Sequence, residues 1–169
     1  LVAYALDETE RFIGDLRTKL ATVTNPVDQL AVYVRMQIED MSRRHLPPGP
    51  AMRSVLSPES FEKLGHHVGE LQAVLAQILR AGIDQGYLPE SDIREMAQLV
   101  HGSLSSAADR GRAEDEATRE TRIGNTIRFI QLGLGASFDA EGRPVPTHRV
   151  PQAQETGEDE APRLRSVAS

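Results

Sequence analysis

Apolar side chains recur at steps of three and four residues along five segments of the chain, which is the spacing of one face of an α-helix. A sixth, shorter helical turn is predicted around residues 52–56, after a loop rich in proline and glycine. No segment alternates apolar and polar residues over the length of a β-strand. The pattern predicts an all-α fold, an antiparallel bundle of about five long helices plus a short one. The first segment covers residues 1–23, the second begins at residue 26 and ends before Pro47, and the third covers residues 58–86. The fourth follows a cap at Ser91 or Asp92 and extends to residue 108, and the fifth covers residues 117–134.

Residues at the segment boundaries support this division. Asn25-Pro26 and Ser57-Pro58 each place a capping residue before a proline, which is favoured at the first helical position. The fourth helix is capped by either Ser91 or Asp92, because both residue types accept a backbone hydrogen bond at an N-cap. Gly86 is predicted to end the third helix, since glycine readily takes the left-handed backbone conformation that closes a helix.

The fifth helix has apolar residues on two faces. Ile123, Ile127 and Ile130 form its seam, while Phe129 and Gly133 add a second face. A helix with two such faces needs two neighbours. One neighbour is expected within the chain and the other in a second subunit.

The composition changes after Ala136. Residues 137–169 contain four prolines and an acidic cluster at 158–160, and they lack a periodic apolar pattern. A segment of this kind buries too little apolar surface to offset the entropy lost on ordering. We therefore predict a helical effector-binding and dimerisation domain at residues 1–136 and a disordered, Pro-rich acidic tail at residues 137–169.

Charge and composition exclude several classes of protein. The chain has a formal net charge of −6. It contains no cysteine, and this excludes disulfide scaffolds and cysteine-based metal sites. The acidic balance differs from the basic surface of a nucleic-acid-binding domain. Its longest apolar runs are a few residues, whereas a transmembrane helix needs roughly 20. We expect a cytoplasmic chain that does not contact membranes.

The sequence also lacks the common catalytic patterns. Neither a P-loop nor a Gly-x-Gly-x-x-Gly motif occurs, and no glutamate is followed by a histidine three residues later, as di-iron helical bundles require. His66 and His67 are adjacent on a helix, so their side chains point about 100° apart and cannot share one metal ion. No serine lies in a nucleophile-elbow motif. We therefore expect no enzymatic activity, no cofactor and no metal.

The order of these parts resembles the C-terminal regulatory domain of TetR/AcrR-family transcriptional regulators. The resemblance rests on the sequences LVAYAL at residues 1–6, NPVDQL at 25–30 and ILRAGIDQGYLP at 78–89. In that family a long helix typically ends in a Gly-aromatic-Leu turn before the two helices that build the dimer. The similarity extends over roughly the predicted helical domain.

The resemblance implies an effector-sensing domain that forms a homodimer. Its last two long helices would pair across a two-fold axis into a four-helix bundle. An effector bound among the middle helices would then change the separation of the DNA-binding heads. The family's N-terminal helix-turn-helix domain is absent from this sequence, so operator DNA would be bound only through that missing domain.

Helical wheels indicate where an effector could bind. A small-molecule pocket is typically apolar with a few convergent polar groups. His67 and His101 lie on the flanks of their apolar seams, where either a ligand contact or an internally hydrogen-bonded histidine fits. The low aromatic content and a flanking arginine suit a small apolar or amphipathic effector. The predicted ligand-binding residues on the second and third helices are Arg35, Gln37, Ile38, Met41, Phe61, Leu64, His67, Leu71 and Gln72.

The dimer interface is predicted on the fourth and fifth helices, where small residues allow helix axes to approach closely. Packing within the chain is the alternative role for these residues. A helical protein-interaction module without an effector is likewise the alternative to a regulatory domain, and a helical enzyme without a cofactor would need a buried acid, base or nucleophile cluster. The predicted interface residues are Met96, Leu99, Ser103, Ser106, Ile123, Ile127, Phe129 and Ile130.

Overall fold

A computed structural model describes residues 2–44, 54, 56–109 and 114–152, and it confirms the all-α fold. Five helices are present in these residues, and the predicted short turn around residues 52–56 lies largely outside them. None of the described helices is long and apolar enough to cross a membrane. The helices are α1 (Val2–Ala21), α2 (Pro26–Arg43), α3 (Pro58–Asp84), α4 (Ile93–Asp109) and α5 (Glu116–Gly133).

Two helices begin directly after capping residues that were predicted from the sequence. The Asn25 side chain accepts hydrogen bonds from the backbone amides of Val27 and Asp28, at 2.8 and 3.4 Å. At the start of α4 the carboxylate of Asp92 accepts from the amide of Glu95 at 3.1 Å, so Asp92 rather than Ser91 provides the cap. These bonds satisfy backbone donors that a helix start leaves without an intrahelical partner.

Helix α2 lies at the centre of the bundle and contacts each of the other four helices. Tyr33, Val34 and Ile38 are completely buried on it, and the side chain of Gln37 is buried beside them. The apolar spacing in the sequence predicts a buried face that leaves out Tyr33 and places Gln37 on its flank, so the observed buried face is rotated toward these two residues. This rotation brings two polar side chains into the core. The predicted face consists of Val27, Leu30, Ala31, Val34, Ile38 and Met41.

The turn between α3 and α4 is closed by Gly86, as predicted. Gly86 has φ +78°, and the amide of Tyr87 donates to the carbonyl of Gly82 at 2.8 Å. The amide of Gly86 donates to the carbonyl of Ile83 at 3.0 Å, which completes a Schellman motif. The end of α5 has the same arrangement around Gly135, at φ +94°.

Residues 137–152 differ from the predicted disordered tail, because residues 137–145 form a hairpin and the segment that follows contacts the turn between α3 and α4. Strands β1 (Ser137–Phe138) and β2 (Pro144–Val145) pair in antiparallel orientation. The carboxylate of Asp139 accepts from the amide of Arg143 at 2.8 Å, a bond that lowers the pKa of Asp139. Local hydrogen bonds of this kind hold the turn of the hairpin, and they produce no periodic apolar pattern in the sequence. The rest of the predicted tail, residues 153–169, lies outside the described residues.

The hairpin packs against the turn between α3 and α4. The amide of His148 donates to the carbonyl of Gly86 at 3.0 Å, and its Nε2 lies 2.6 Å from the carbonyl oxygen of Gly135. The guanidinium of Arg128 stacks over the ring of Phe138, 4.4 Å from its centroid. The hairpin therefore joins the end of α5 to the far end of α3, and the ordered unit extends beyond the predicted boundary at residue 136.

Candidate functional site

A cluster of polar groups lies inside the bundle where α2, α3 and α4 meet. The hydroxyl of Tyr33 lies 2.9 Å from Nε2 of His101 and 3.3 Å from the carbonyl oxygen of Leu71. The side-chain amide of Gln37 donates to the same hydroxyl at 3.2 Å. We refer to Tyr33, Gln37, His101 and the Leu71 carbonyl as the polar cluster.

Each hydrogen-bond donor of the polar cluster can be assigned to an acceptor within the cluster. Burial raises the pKa of Tyr33 to about 12, so its hydroxyl is neutral and offers one proton. If that proton is directed to the Leu71 carbonyl, then Nε2 of His101 carries a proton and donates to the hydroxyl oxygen. His101 Nδ1 then acts as an acceptor, and no described residue supplies a hydrogen-bond partner for it.

A groove on the surface between α3 and α4 leads to the polar cluster. It has a volume of about 870 Å³, and His101 lines it at the end farthest from the turn between the helices. Alanines and Ile93 form much of its apolar lining. The lining residues are Gln72, Ala73, Ala76, Gln77, Arg80, Ala81, Asp84, Ile93, Arg94, Ala97, Gln98 and His101.

A second surface groove runs between α4 and α5, and we call it the α4–α5 face. Leu99 is 60% exposed and Phe129 is 68% exposed, and both side chains line this groove. Between them lie small and polar side chains, including Gly102, Ser103 and Ser106. The groove has a volume of about 1100 Å³. It is an open surface where another helix pair could pack closely.

The family model described as "Tetracyclin repressor-like, C-terminal domain" matches residues 28–122, which is more than half of the chain. The chain belongs to this family. The matched residues include all of the polar cluster, the groove between α3 and α4, and most of the α4–α5 face. Comparisons with curated proteins and with solved structures gave no match.

Membership of the tetracyclin repressor-like family confirms the resemblance inferred from the sequence. It indicates that the chain is a regulatory domain of a TetR-family transcription regulator, a class of protein that is not enzymatic. No group of three or more metal-ligating side chains occurs among the described residues.

The predicted ligand-binding residues lie at several places in this TetR-like domain. Gln37 belongs to the polar cluster, Ile38 is in the core directly beside it, and Leu71 contributes its carbonyl. Gln72 lines the groove between α3 and α4. Met41 is half-buried and packs against the core.

Other predicted ligand-binding residues lie away from the polar cluster. Nη1 of Arg35 lies 2.9 Å from both carboxylate oxygens of Glu120 on α5, in an ion pair that is partly exposed to solvent. His67 lies 3.3 Å from Glu70, which also pairs with Arg17 of α1 at 3.2 Å. These contacts give Arg35 and His67 partners within the chain. Phe61 and Leu64 are half-buried in the first half of α3.

The sequence reasoning missed Tyr33, which was not placed on the apolar face of α2. A signal was available, because Tyr33 and Gln37 are four residues apart and therefore share a helix face. His101 was correctly placed on a flank of its helix. The structure shows it internally hydrogen-bonded and also lining the groove.

The predicted interface residues also divide into groups. Leu99, Ser103, Ser106 and Phe129 line the α4–α5 face. Met96 and Ile127 are half-buried and pack against the core of the chain.

Ile123 and Ile130 require a correction. Ile123 is completely buried and Ile130 is nearly so in the single chain. They pack against this chain's own core because the seam of α5 faces α2 and α4. Neither side chain is accessible to a partner, so the structure places both in the core rather than on the interface.

His101 is expected to make the stability of the domain depend on pH. Burial lowers the pKa of His101 below its ordinary value of 6.5, so the unfolded chain takes up a proton first as the pH falls. The stability that neutral His101 contributes is complete above pH 6.5 and is lost as the pH falls through the lower pKa of the folded state.

Urea titrations of the wild type and of His101→Gln, between about pH 7.5 and 5, would measure this effect. Glutamine can retain a hydrogen bond to Tyr33 but does not titrate. We expect the wild type to lose more free energy of unfolding than His101→Gln over this range. The comparison also removes the contribution of Asp40, whose pKa burial raises in both proteins. Equal losses in the two proteins would contradict the assignment.

Proposed function

We propose that the chain is the effector-sensing and homodimerising domain of a cytoplasmic TetR-like transcription regulator. Operator DNA would be bound by a separate helix-turn-helix domain. The observation that carries this proposal is that α4 contributes to both candidate surfaces. Leu99 lies on the α4–α5 face, while His101, two residues later, lies on the groove between α3 and α4.

Effector sensing is supported by the polar cluster and its connection to the groove. A regulator's ligand site combines apolar surface with a few polar groups that fix orientation. The groove supplies apolar surface from alanines and Ile93, and His101 supplies a polar group anchored by Tyr33. A ligand against His101 would bear directly on the position of α4 relative to α2.

Homodimerisation is supported by the α4–α5 face. A single chain that leaves Leu99 and Phe129 exposed keeps two large apolar side chains in water, and burying them against a second copy removes that cost. The same face in both copies gives the isologous contact expected of a two-fold dimer. A movement of α4 caused by an effector would then be transmitted to the partner.

Sedimentation equilibrium on the full 169-residue chain, from about 1 to 100 μM, tests the proposed dimer. We expect a dimer across most of this range. A thermal-shift screen of small amphipathic compounds on the same sample tests effector sensing, since a ligand that binds the folded state raises Tm. A monomer throughout the range would overturn the proposed dimerisation. A dimer that no compound stabilises would favour a helical interaction module without an effector.

A further inference from the structure

Two arginines line the half of the groove that lies nearest the turn between α3 and α4. Arg80 and Arg94 line it, and neither forms an ion pair with any described residue. Asp84 is the one acidic residue in the lining, and it too has no ion-pair partner in the described part of the chain. The lining therefore has a net positive charge, although the whole chain carries −6. This local charge complements an anion.

The opposite end of the groove offers a different chemistry. His101 lies there, with Nε2 2.9 Å from the hydroxyl of Tyr33. In the tautomer in which Nε2 donates to that hydroxyl, Nδ1 is an acceptor without a partner among the described residues. Arg94 precedes His101 by seven residues on α4, which corresponds to about 10 Å along the helix axis. Between these two positions the groove is lined by apolar side chains such as Ala73, Ala76 and Ala97.

The geometry points to an amphipathic carboxylate as the occupant of this groove. Its carboxylate would pair with Arg80 and Arg94, its chain would lie along the alanines, and a hydroxyl about 10 Å from the carboxylate would donate to Nδ1 of His101. This inference rests on the proposed effector-sensing function, and it specifies the chemical class of the effector and the position of the site.

Isothermal titration calorimetry on the full chain tests the inference with three probes of one chain length. ω-Hydroxydecanoate carries both groups, decanoate lacks the hydroxyl, and α,ω-decanediol lacks the carboxylate. We expect ω-hydroxydecanoate to bind at least about tenfold more tightly than either of the other two, because only it makes both polar contacts.

Substitutions at each end of the groove test separately where the carboxylate and the hydroxyl of the ligand bind. The double variant Arg80→Gln/Arg94→Gln is expected to weaken the binding of both carboxylates by at least about tenfold. It is expected to leave the affinity for the diol unchanged. His101→Phe is expected to reduce the ratio of the ω-hydroxydecanoate affinity to the decanoate affinity to about one, because the variant has no acceptor for the hydroxyl. Arg17→Gln is the matched control, because Arg17 is an exposed arginine on α1 outside the groove. Circular dichroism spectra of all variants verify that they are folded.

The result that overturns this inference is distinct from failure of the proposed function. If the chain is dimeric and other compounds raise its Tm, but ω-hydroxydecanoate does not bind at about 1 mM, the proposed class of ligand is wrong and effector sensing stands. Binding that is unchanged in Arg80→Gln/Arg94→Gln places the ligand elsewhere and also overturns the inference. A monomeric chain that no compound stabilises would instead overturn the proposed function.

Discussion

Replacing Phe129 with glutamate is expected to raise the dissociation constant of the proposed dimer by at least about 100-fold. Phe129 is 68% exposed in the single chain and lines the α4–α5 face opposite Leu99. In a two-fold dimer the substitution removes two aromatic anchors and introduces two carboxylates, which would lose their hydration in the interface. Sedimentation velocity over a concentration series measures the dissociation constant directly.

The folded state of each subunit should tolerate Phe129→Glu. The side chain already faces solvent in the single chain, and glutamate favours a helix at least as well as phenylalanine. Val68→Glu is the matched control, because Val68 is 46% exposed on α3 and lies outside the α4–α5 face. It is expected to leave the dissociation constant unchanged. An unchanged dissociation constant in Phe129→Glu would show that the dimer uses another surface.

The helices could be predicted from the sequence because their boundaries are set by local chemistry. Asn25 caps α2 through its own side chain, and Gly86 closes α3 through its own backbone conformation. Such features depend on a few neighbouring residues, so they can be recognised without the fold. The ordered segment at residues 137–152 was missed because this condition does not hold there. Its order depends on contacts with distant residues, such as the bond between His148 and Gly86.

The candidate site could be predicted only in part, because periodicity shows that a helix face is buried but not which neighbour covers it. The 27-residue helix α3 packs against α1, α2 and α4. His67 and Gln72 were assigned to one pocket because they lie on the two flanks of the apolar seam of this helix. In the structure His67 faces Glu70 near α1, while Gln72 lines the groove beside α4. The rotation of α2 that buries Tyr33 likewise follows from its central position among the other helices.

The same limit applies to the predicted interface. The two apolar faces of α5 were recognised from the sequence, but residues from both were assigned to the partner. The structure assigns Ile123 to the core and leaves Phe129 on the surface. A helical wheel separates these two residues, yet it does not show which face points inward. That choice is made by α2 and α4, which cover the isoleucine face.

Substitution of Gly86 by alanine is expected to destabilise the domain by about 2–3 kcal/mol. Two costs add at this position. The backbone has φ +78°, where a side chain costs roughly 1–2 kcal/mol. A Cβ atom would also lie 2.8 Å from the carbonyl oxygen of His148, so the hairpin would have to move and its hydrogen bond to Gly86 would weaken. Thermal unfolding should show Tm lowered by about 5–10 °C.

Gly69→Ala provides a control of opposite sign. Gly69 lies in the interior of α3, and a Cβ atom there would meet no atom within 4 Å. Alanine at an exposed helical glycine is expected to stabilise the domain by about 0.5–1 kcal/mol. Hydrogen exchange then separates the two costs at Gly86, because displacement of the hairpin would speed exchange of the His148 amide. A Gly86→Ala protein with unchanged Tm and unchanged exchange at His148 would show that the hairpin does not pack on this turn.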